Sequence, residues 1–195
     1  MDEFVDFLHS QLHLLPSQIE LLKEKIKTHY FKKGDLLEGP AELDDRMYYI
    51  KKGGARSFYL KDGKDITFSF AFENDLLVSM RSNTTKKEFP ELVEFLDETE
   101  AYSILIKPFS KIQKFKSLAA ADFSQALLLK YNCFLEERII NLQCKSARER
   151  YDWVVGRFPE LLQKANLGQI ASFIGVTQET LSRIRSEKKK HNPAG

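Results

Sequence analysis

Between Leu167 and Ile184 the chain reads LGQIASFIGVTQETLSRI, two short amphipathic segments joined at one glycine. Two helices that cross closely need a small residue at the crossing, apolar side chains facing inward on both arms, and a turn residue free to enter the left-handed region. Ala171 and, four positions later, Gly175 answer the first and last needs, and Ile170, Ile174, Val176, Leu181 and Ile184 form the inward set. Thr177 is a good N-cap, so the second helix is expected to begin at Gln178. The pattern predicts a helix-turn-helix. The outer side of its second helix then carries Gln178, Glu179, Ser182 and Arg183. Side chains at the start of such a helix meet base edges in the major groove, where Gln suits adenine, Arg suits guanine and Glu accepts from the cytosine amino group. Asn166, Thr177, Arg185, Lys188, Lys189 and Lys190 are candidates for phosphate contacts, which are salt-sensitive and independent of sequence. An ordinary helical hairpin with a solvated charged face is the plainer alternative; the coincidence of interior pattern, glycine and polar face within 18 residues favours double-stranded DNA as the partner.

Charge supports a local rather than a general nucleic-acid surface. Residues 183–190 hold five bases and one acid, whereas the 195-residue chain holds 30 bases and 28 acids, for a net charge of +2. The remainder is slightly acidic, which excludes a protein that coats nucleic acid indiscriminately. A chain that is 43% hydrophobic, with 15 Phe and 7 Tyr, can bury a sizeable core in one large or two small domains, and intrinsic disorder is excluded. No apolar run approaches the ~20 residues of a membrane helix, so no membrane partner is expected. The acidic start, Met1 to Asp6, leads into no signal core, and a cytoplasmic protein is expected.

Catalytic and metal chemistry find no support. Cys133 and Cys144 are too few for a disulfide framework or a cysteine-only site, and they stand about three turns apart on one helix. His9 and His13 have metal-compatible i, i+4 spacing, but no acid or cysteine pattern completes a site within that helix. There is no glycine-rich phosphate loop and no nucleophile paired with a base, so no enzyme activity, metal or cofactor is expected.

Upstream of the motif, residues 119–144 contain neither Gly nor Pro and form the longest helix candidate. Leu128, Tyr131, Leu135, Ile139 and Leu142 recur at spacings of 3 or 4, a stripe over about four turns that suits a partner helix and hence a homodimer. Phe123, Leu127 and Phe134 form a flanking stripe suited to the chain's own β region. One broad face buried in a monomer is the alternative. Phe109 to Phe115 reads as a short helix, and Tyr102 to Ile106 as a last strand. Before these, Arg56–Leu60 and Asp65–Phe72 flank Lys61-Asp62-Gly63-Lys64, where Asp-Gly supplies the positive φ of a tight hairpin. Ile66, Phe68, Phe70 and Phe72 alternate onto one expected buried face. Two short helices, marked by Phe4, Phe7, Leu8 and Leu12 and then by Ile19, Leu22 and Ile26, precede the strands.

Ala147-Arg148-Glu149-Arg150-Tyr151, Phe158-Pro159-Glu160-Leu161-Leu162 and Ile170 to Arg185 together resemble the C-terminal signature of the Crp/Fnr family of bacterial transcription regulators. The order of elements is similar over nearly the whole chain; Tyr48 to Gly53 is the best-matching piece among the strands. The resemblance implies an α+β fold. Residues 1–117 would form a double-stranded β-helix (jelly-roll) effector domain of the cyclic-nucleotide-binding type with flanking helices, 118–144 a dimerisation helix, and 145–195 an all-α helix-turn-helix domain. It also implies that Gln178, Glu179 and Arg183 read bases, and it makes RNA polymerase a candidate partner.

Two departures qualify what is carried over. Nucleotide-binding members place Gly-Glu and Arg-Ser pairs around the cyclic nucleotide, where this chain has Val78-Ser79 and Glu91-Leu92. Residues 73–100 hold eight acids against three bases, which repels a phosphate, so cyclic AMP is not the expected effector. Arg81, Ser82, Asn83 and Thr84, with Thr85, remain the candidate pocket for an unidentified small-molecule effector, against the plainer reading of a surface loop. The second departure is at the end, where only six residues, Lys190 to Gly195, follow the recognition helix, too few for the wing that many members carry. The rival reading is a β-roll for ligand or protein binding whose helical tail serves assembly. A cupin-like enzyme is disfavoured because the roll has no histidine after His29.

Overall fold

Strand pairing follows the alternation in the sequence, with register slips in the β-hairpin and between Ile50 and Lys52. The computed structural model describes residues 1–38, 43, 46–79, 89–106 and 118–191, without the side chains of 118–120 and 188–191. Strands β4 (Gly54–Lys61) and β5 (Lys64–Phe72) pair antiparallel through Asp62 and Gly63, whose φ of 51° and 72° make the expected two-residue turn. Phe70 and Phe72 are buried as expected, but Ile66 is 44% exposed and Thr67 wholly buried. The register explains the correction: Ser57 pairs with Ser69 but Phe58 pairs with Thr67, so Phe68 is a bulged residue and the inward parity flips beyond it.

Among the described residues, two antiparallel four-stranded sheets result. The first has the order β1 (Lys27–Phe31), β8 (Thr99–Leu105), β3 (Arg46–Lys52), β6 (Leu76–Val78); the second runs β2 (Leu36–Glu38), β7 (Glu91–Phe95), β4, β5. The acidic stretch after the hairpin thus contributes β6 and β7, strands of three and five residues that are too short to show as alternation. Ile50, Val93, Phe95 and Ala101 fill the space between the sheets, and Phe31 stacks on Phe95 at 3.8 Å.

Helix α1 (Asp2–Leu12) seals the first sheet with Phe4, Val5 and Leu8, and Phe4 stacks on Tyr49 at 5.1 Å. Complete burial of Phe4 contributes about 1.5–3 kcal/mol. His13 caps α1 in the left-handed region with φ 48°, its N–H bonded to His9 O at 2.9 Å. Among the described residues no group of His, Cys, Asp and Glu is arranged to hold a metal. Helix α2 (Pro16–Lys25) leads into β1. After the sheets come α3 (Leu118–Cys144), α4 (Ala147–Arg157), α5 (Leu161–Lys164), α6 (Leu167–Ile174) and α7 (Gln178–His191). The short helix expected over 109–115 lies outside the described residues. Phe123 and Leu127 pack with the α1 cluster as expected, and Phe134 packs against a third cluster in which Phe70, Phe72 and Leu96 meet Val154, Phe158 and Phe173. The C-terminal helices are therefore joined to the second sheet by a common core.

Candidate nucleic-acid interface

Local chemistry shapes the α6–α7 pair. Asn166 caps α6, its side-chain oxygen accepting the Gln169 N–H at 2.9 Å while Gln169 Oε1 accepts the Asn166 N–H at 2.9 Å. Gly175 ends the helix with φ 68°, and the Val176 N–H reaches Ala171 O at 3.0 Å. A Cβ at Gly175 would lie 3.0 Å from Leu142 Cδ2, so glycine also lets α3 approach. Thr177 Oγ1 accepts the Thr180 N–H at 3.2 Å, the N-cap that starts α7 at Gln178. Ile170, Ala171, Ile174, Leu181 and Ile184 are buried and Val176 is half-buried.

The opposite side of α7 faces solvent. Gln178, Glu179, Ser182 and Arg183 are all exposed, and their i, i+1, i+4, i+5 spacing puts them on one face of its first two turns. Gln178 Oε1 reaches to within 3.6 Å of where a Cβ on Gly168 would sit, so this side chain lies over the start of α6. Of the expected phosphate contacts, Asn166 and Thr177 are exposed with their side-chain oxygens engaged in caps, and Arg185 is half-buried. Lys188, Lys189 and Lys190 continue α7, and their side chains lie outside the description.

What holds this face in place was not visible in the sequence. Ser172 Oγ accepts the Thr67 N–H and donates to Asp65 O, both at 3.0 Å, thereby satisfying the free edge of β5. Gln169 Nε2 donates to Glu94 Oε2 at 3.2 Å; Glu94 also takes the buried Arg56 at 2.6 Å, and Arg56 donates to Thr67 Oγ1 at 2.8 Å. Lys164 Nζ donates to Gly53 O at 2.9 Å. Phe173 lies between the Arg138 guanidinium, 3.9 Å from its ring centre, and the parallel Trp153 ring at 6.0 Å. Arg138 also donates to Phe173 O at 3.0 Å; burial pushes it down to about 10, which leaves it positive at neutral pH. The partners of Ser172 stand more than a hundred positions away, beyond the reach of any periodicity or spacing rule.

On α3, Leu128, Tyr131 and Leu135 of the expected dimer stripe are half-buried by the chain itself, whereas Ile139 is 53% and Leu142 43% exposed. Leu129 and Ile140, outside that stripe, are exposed as well, as are Cys133 and Cys144, both free thiols. The expected effector residues Arg81, Ser82, Asn83 and Thr84 lie outside the described residues. A cavity of about 180 Å³ opens where β5 and β6 meet α3 and the end of α4.

No family model matches the chain and no curated protein matches it. Solved structures do. FixK2 from Bradyrhizobium japonicum superposes with a TM-score of 0.68 at 19% identity, covering 87% of this chain and 87% of that one. A transcriptional regulator of the CRP/FNR family from Thermus thermophilus gives 0.59 at 17% identity over 85% of this chain and 87% of that one. A CooA mutant from Carboxydothermus hydrogenoformans gives 0.61 at 18% identity over 88% and 79%. Over most of its length the chain shares the α+β fold of Crp/Fnr transcription regulators. Among the described residues no helix is long and apolar enough to cross a membrane.

Proposed function

We propose that this chain, which has the fold of the Crp/Fnr transcription regulators, is itself a homodimeric regulator that binds double-stranded DNA in a sequence-specific manner. The observation that carries this reading is the exposed quartet Gln178, Glu179, Ser182 and Arg183 on a helix whose other side is locked by Leu181 and Ile184. In this reading the pair α6–α7 is a helix-turn-helix within residues 145–195, α7 enters the major groove, and Arg185 and the lysines after it neutralise phosphates. Residues 118–144 join two copies along the apolar side of α3 that holds Ile139, Ile140 and Leu142, which their own chain leaves exposed. Residues 1–117 are a jelly-roll sensor for a small ligand, and ligand binding favours one spacing of the two recognition helices, with half-sites about 34 Å apart.

Selection from random-sequence DNA at about 0.1 M salt, where surface charges are screened beyond ~10 Å, tests the reading. The expected result is an enriched palindrome that Arg183→Ala fails to enrich, with roughly 1–3 kcal/mol lost at the guanine it reads. A folded dimer that enriches nothing, with or without a bound effector, would assign the C-terminal helices to assembly instead.

A further inference from the structure

The cavity between β5, β6, α3 and α4 has a mixed lining of apolar and polar side chains and a divided rim. Phe68, Phe70, Leu77, Phe134 and Phe158 supply aromatic and aliphatic wall. Asp75 and Glu91 come from the sheet side, and the chain itself engages both carboxylates. Asp75 accepts the Phe72 N–H at 2.9 Å, and Glu91 accepts the Ser79 hydroxyl at 2.8 Å. Lys130 from α3 and Arg157 from the end of α4 are exposed at the opposite side, and neither is in an ion pair among the described residues. The rim therefore carries two negative charges on the sheet side, whose oxygens have hydrogen-bond donors of their own, and two positive charges on the helix side that have no carboxylate partner among the described residues and stand beside flat apolar surface.

Size narrows the class of occupant. An apolar cavity of ~150 Å³ holds one benzene ring, so about 180 Å³ suits a single ring with a short polar arm. A base, a sugar and a phosphate together exceed it. We propose that this cavity binds a small aromatic monocarboxylate, its ring against Phe70 and Phe158 and its carboxylate toward Lys130 and Arg157. The assignment rests on the ligand-sensing reading above and names the chemistry of the ligand. Arg157 presents the planar fork that matches a carboxylate. Because Arg157 and Phe158 follow α3, the ligand touches the C-terminal helices directly as well as the sheets. Phe70 and Phe158 also pack against Phe173 of α6, with ring centres 5.1 and 6.0 Å away, so the walls of the cavity are also supports of the DNA-binding pair.

Calorimetric titration of the full chain with benzoate, phenylacetate and 3-phenylpropionate tests this, with 3-phenylpropanamide, 2-phenylethylamine and cyclic AMP as comparisons. At least one acid is expected to saturate one site per chain and to bind roughly tenfold more tightly than the amide, a difference of about 1.4 kcal/mol. In a variant carrying Lys130→Gln and Arg157→Gln the acid should fall to the affinity of the amide, with the amide unchanged and the thermal melt unmoved, since both residues are at the surface. No saturable heat from any of the three acids at millimolar concentration overturns the proposal, as does tighter binding of the amine or the cyclic nucleotide. DNA selection on the same protein separates the two readings. An enriched operator without acid binding removes only the ligand assignment, and acid binding without an operator, in the presence of the acid, removes only the DNA reading.

Discussion

Two joints hold helix α6, and they are made differently. On one side Ile170 and Ile174 meet Leu181 and Ile184 in a dry interior closed by the left-handed turn at Gly175. On the other side, beside the aromatic contact of Phe70 with Phe173, Ser172, Gln169 and Lys164 meet backbone and carboxylate groups of the two-sheet body. Apolar contact is non-directional and scales with buried area, so the α6–α7 joint depends on no single partner. A polar joint is directional. Its net contribution per hydrogen bond is modest, yet losing one partner leaves the other unsatisfied. The pair's internal shape thus rests on apolar contact and one turn, whereas its docking to the sheets combines the common aromatic core with a few directional polar groups.

The sharpest way to break the polar joint is Arg56→Ala. Arg56 is 5% exposed and holds Glu94, Asp65 and Thr67 together, so its removal strands two carboxylates beside Gln169. Loss of a buried pair costs about 3–5 kcal/mol; the 43% exposure of the Asp65 side chain puts the expected loss near the lower end, read as a lower denaturant midpoint. The dry joint is tested by Gly175→Val. A branched residue at φ 68° costs about 1–2 kcal/mol and must also displace Leu142, so the melting temperature should fall and DNA binding should fall with it. Ser172→Ala separates the joints most cleanly, with an expected loss of about 1 kcal/mol. Amide exchange at Thr67 should quicken while that of Leu181, bonded to Thr177 O within the pair, stays slow. Equal acceleration at both amides would mean that the two joints open together.

His29, away from both joints, provides the smallest effect and a control. Burial, with Arg46 and Lys27 nearby, lowers its pKa from the ordinary 6.5. The unfolded chain therefore binds more protons just below that pH, so this contribution to stability is full above about 6.5 and is lost as pH falls toward the folded value. His29→Gln should flatten the pH dependence of stability in that window without altering Thr67 exchange.

Much of the candidate site was legible because it is local. The Asn166 cap, the Gly175 turn, the Thr177 cap and the exposure of Gln178 to Arg183 follow from contacts three to five residues apart. The hairpin turn at Asp62-Gly63 was legible for the same reason, and the bulge at Phe68 was not. A bulge is decided by how two strands meet, and one strand's alternation carries no record of it. Strands β6 and β7 escaped because three- and five-residue elements are too short for a period to emerge. The contribution of Leu129 and Ile140 to the exposed apolar side of α3 escaped because helical spacing shows which residues share a face and not which face the rest of the chain covers.

By itself the amino-acid sequence determined the two N-terminal helices, the long α3, the hairpin, the capped pair at the C-terminus and the chemical character of its outer face, because each depends on backbone sterics and on neighbours within a turn or two. Only the tertiary structure decided that Ser172 closes the edge of β5, that Arg56 and Gln169 share Glu94, and that Phe70 and Phe158 stand between a cavity and Phe173. Those partners are brought together by the packing of two sheets against four helices, a global balance of buried area and satisfied polar groups that no short window of residues encodes.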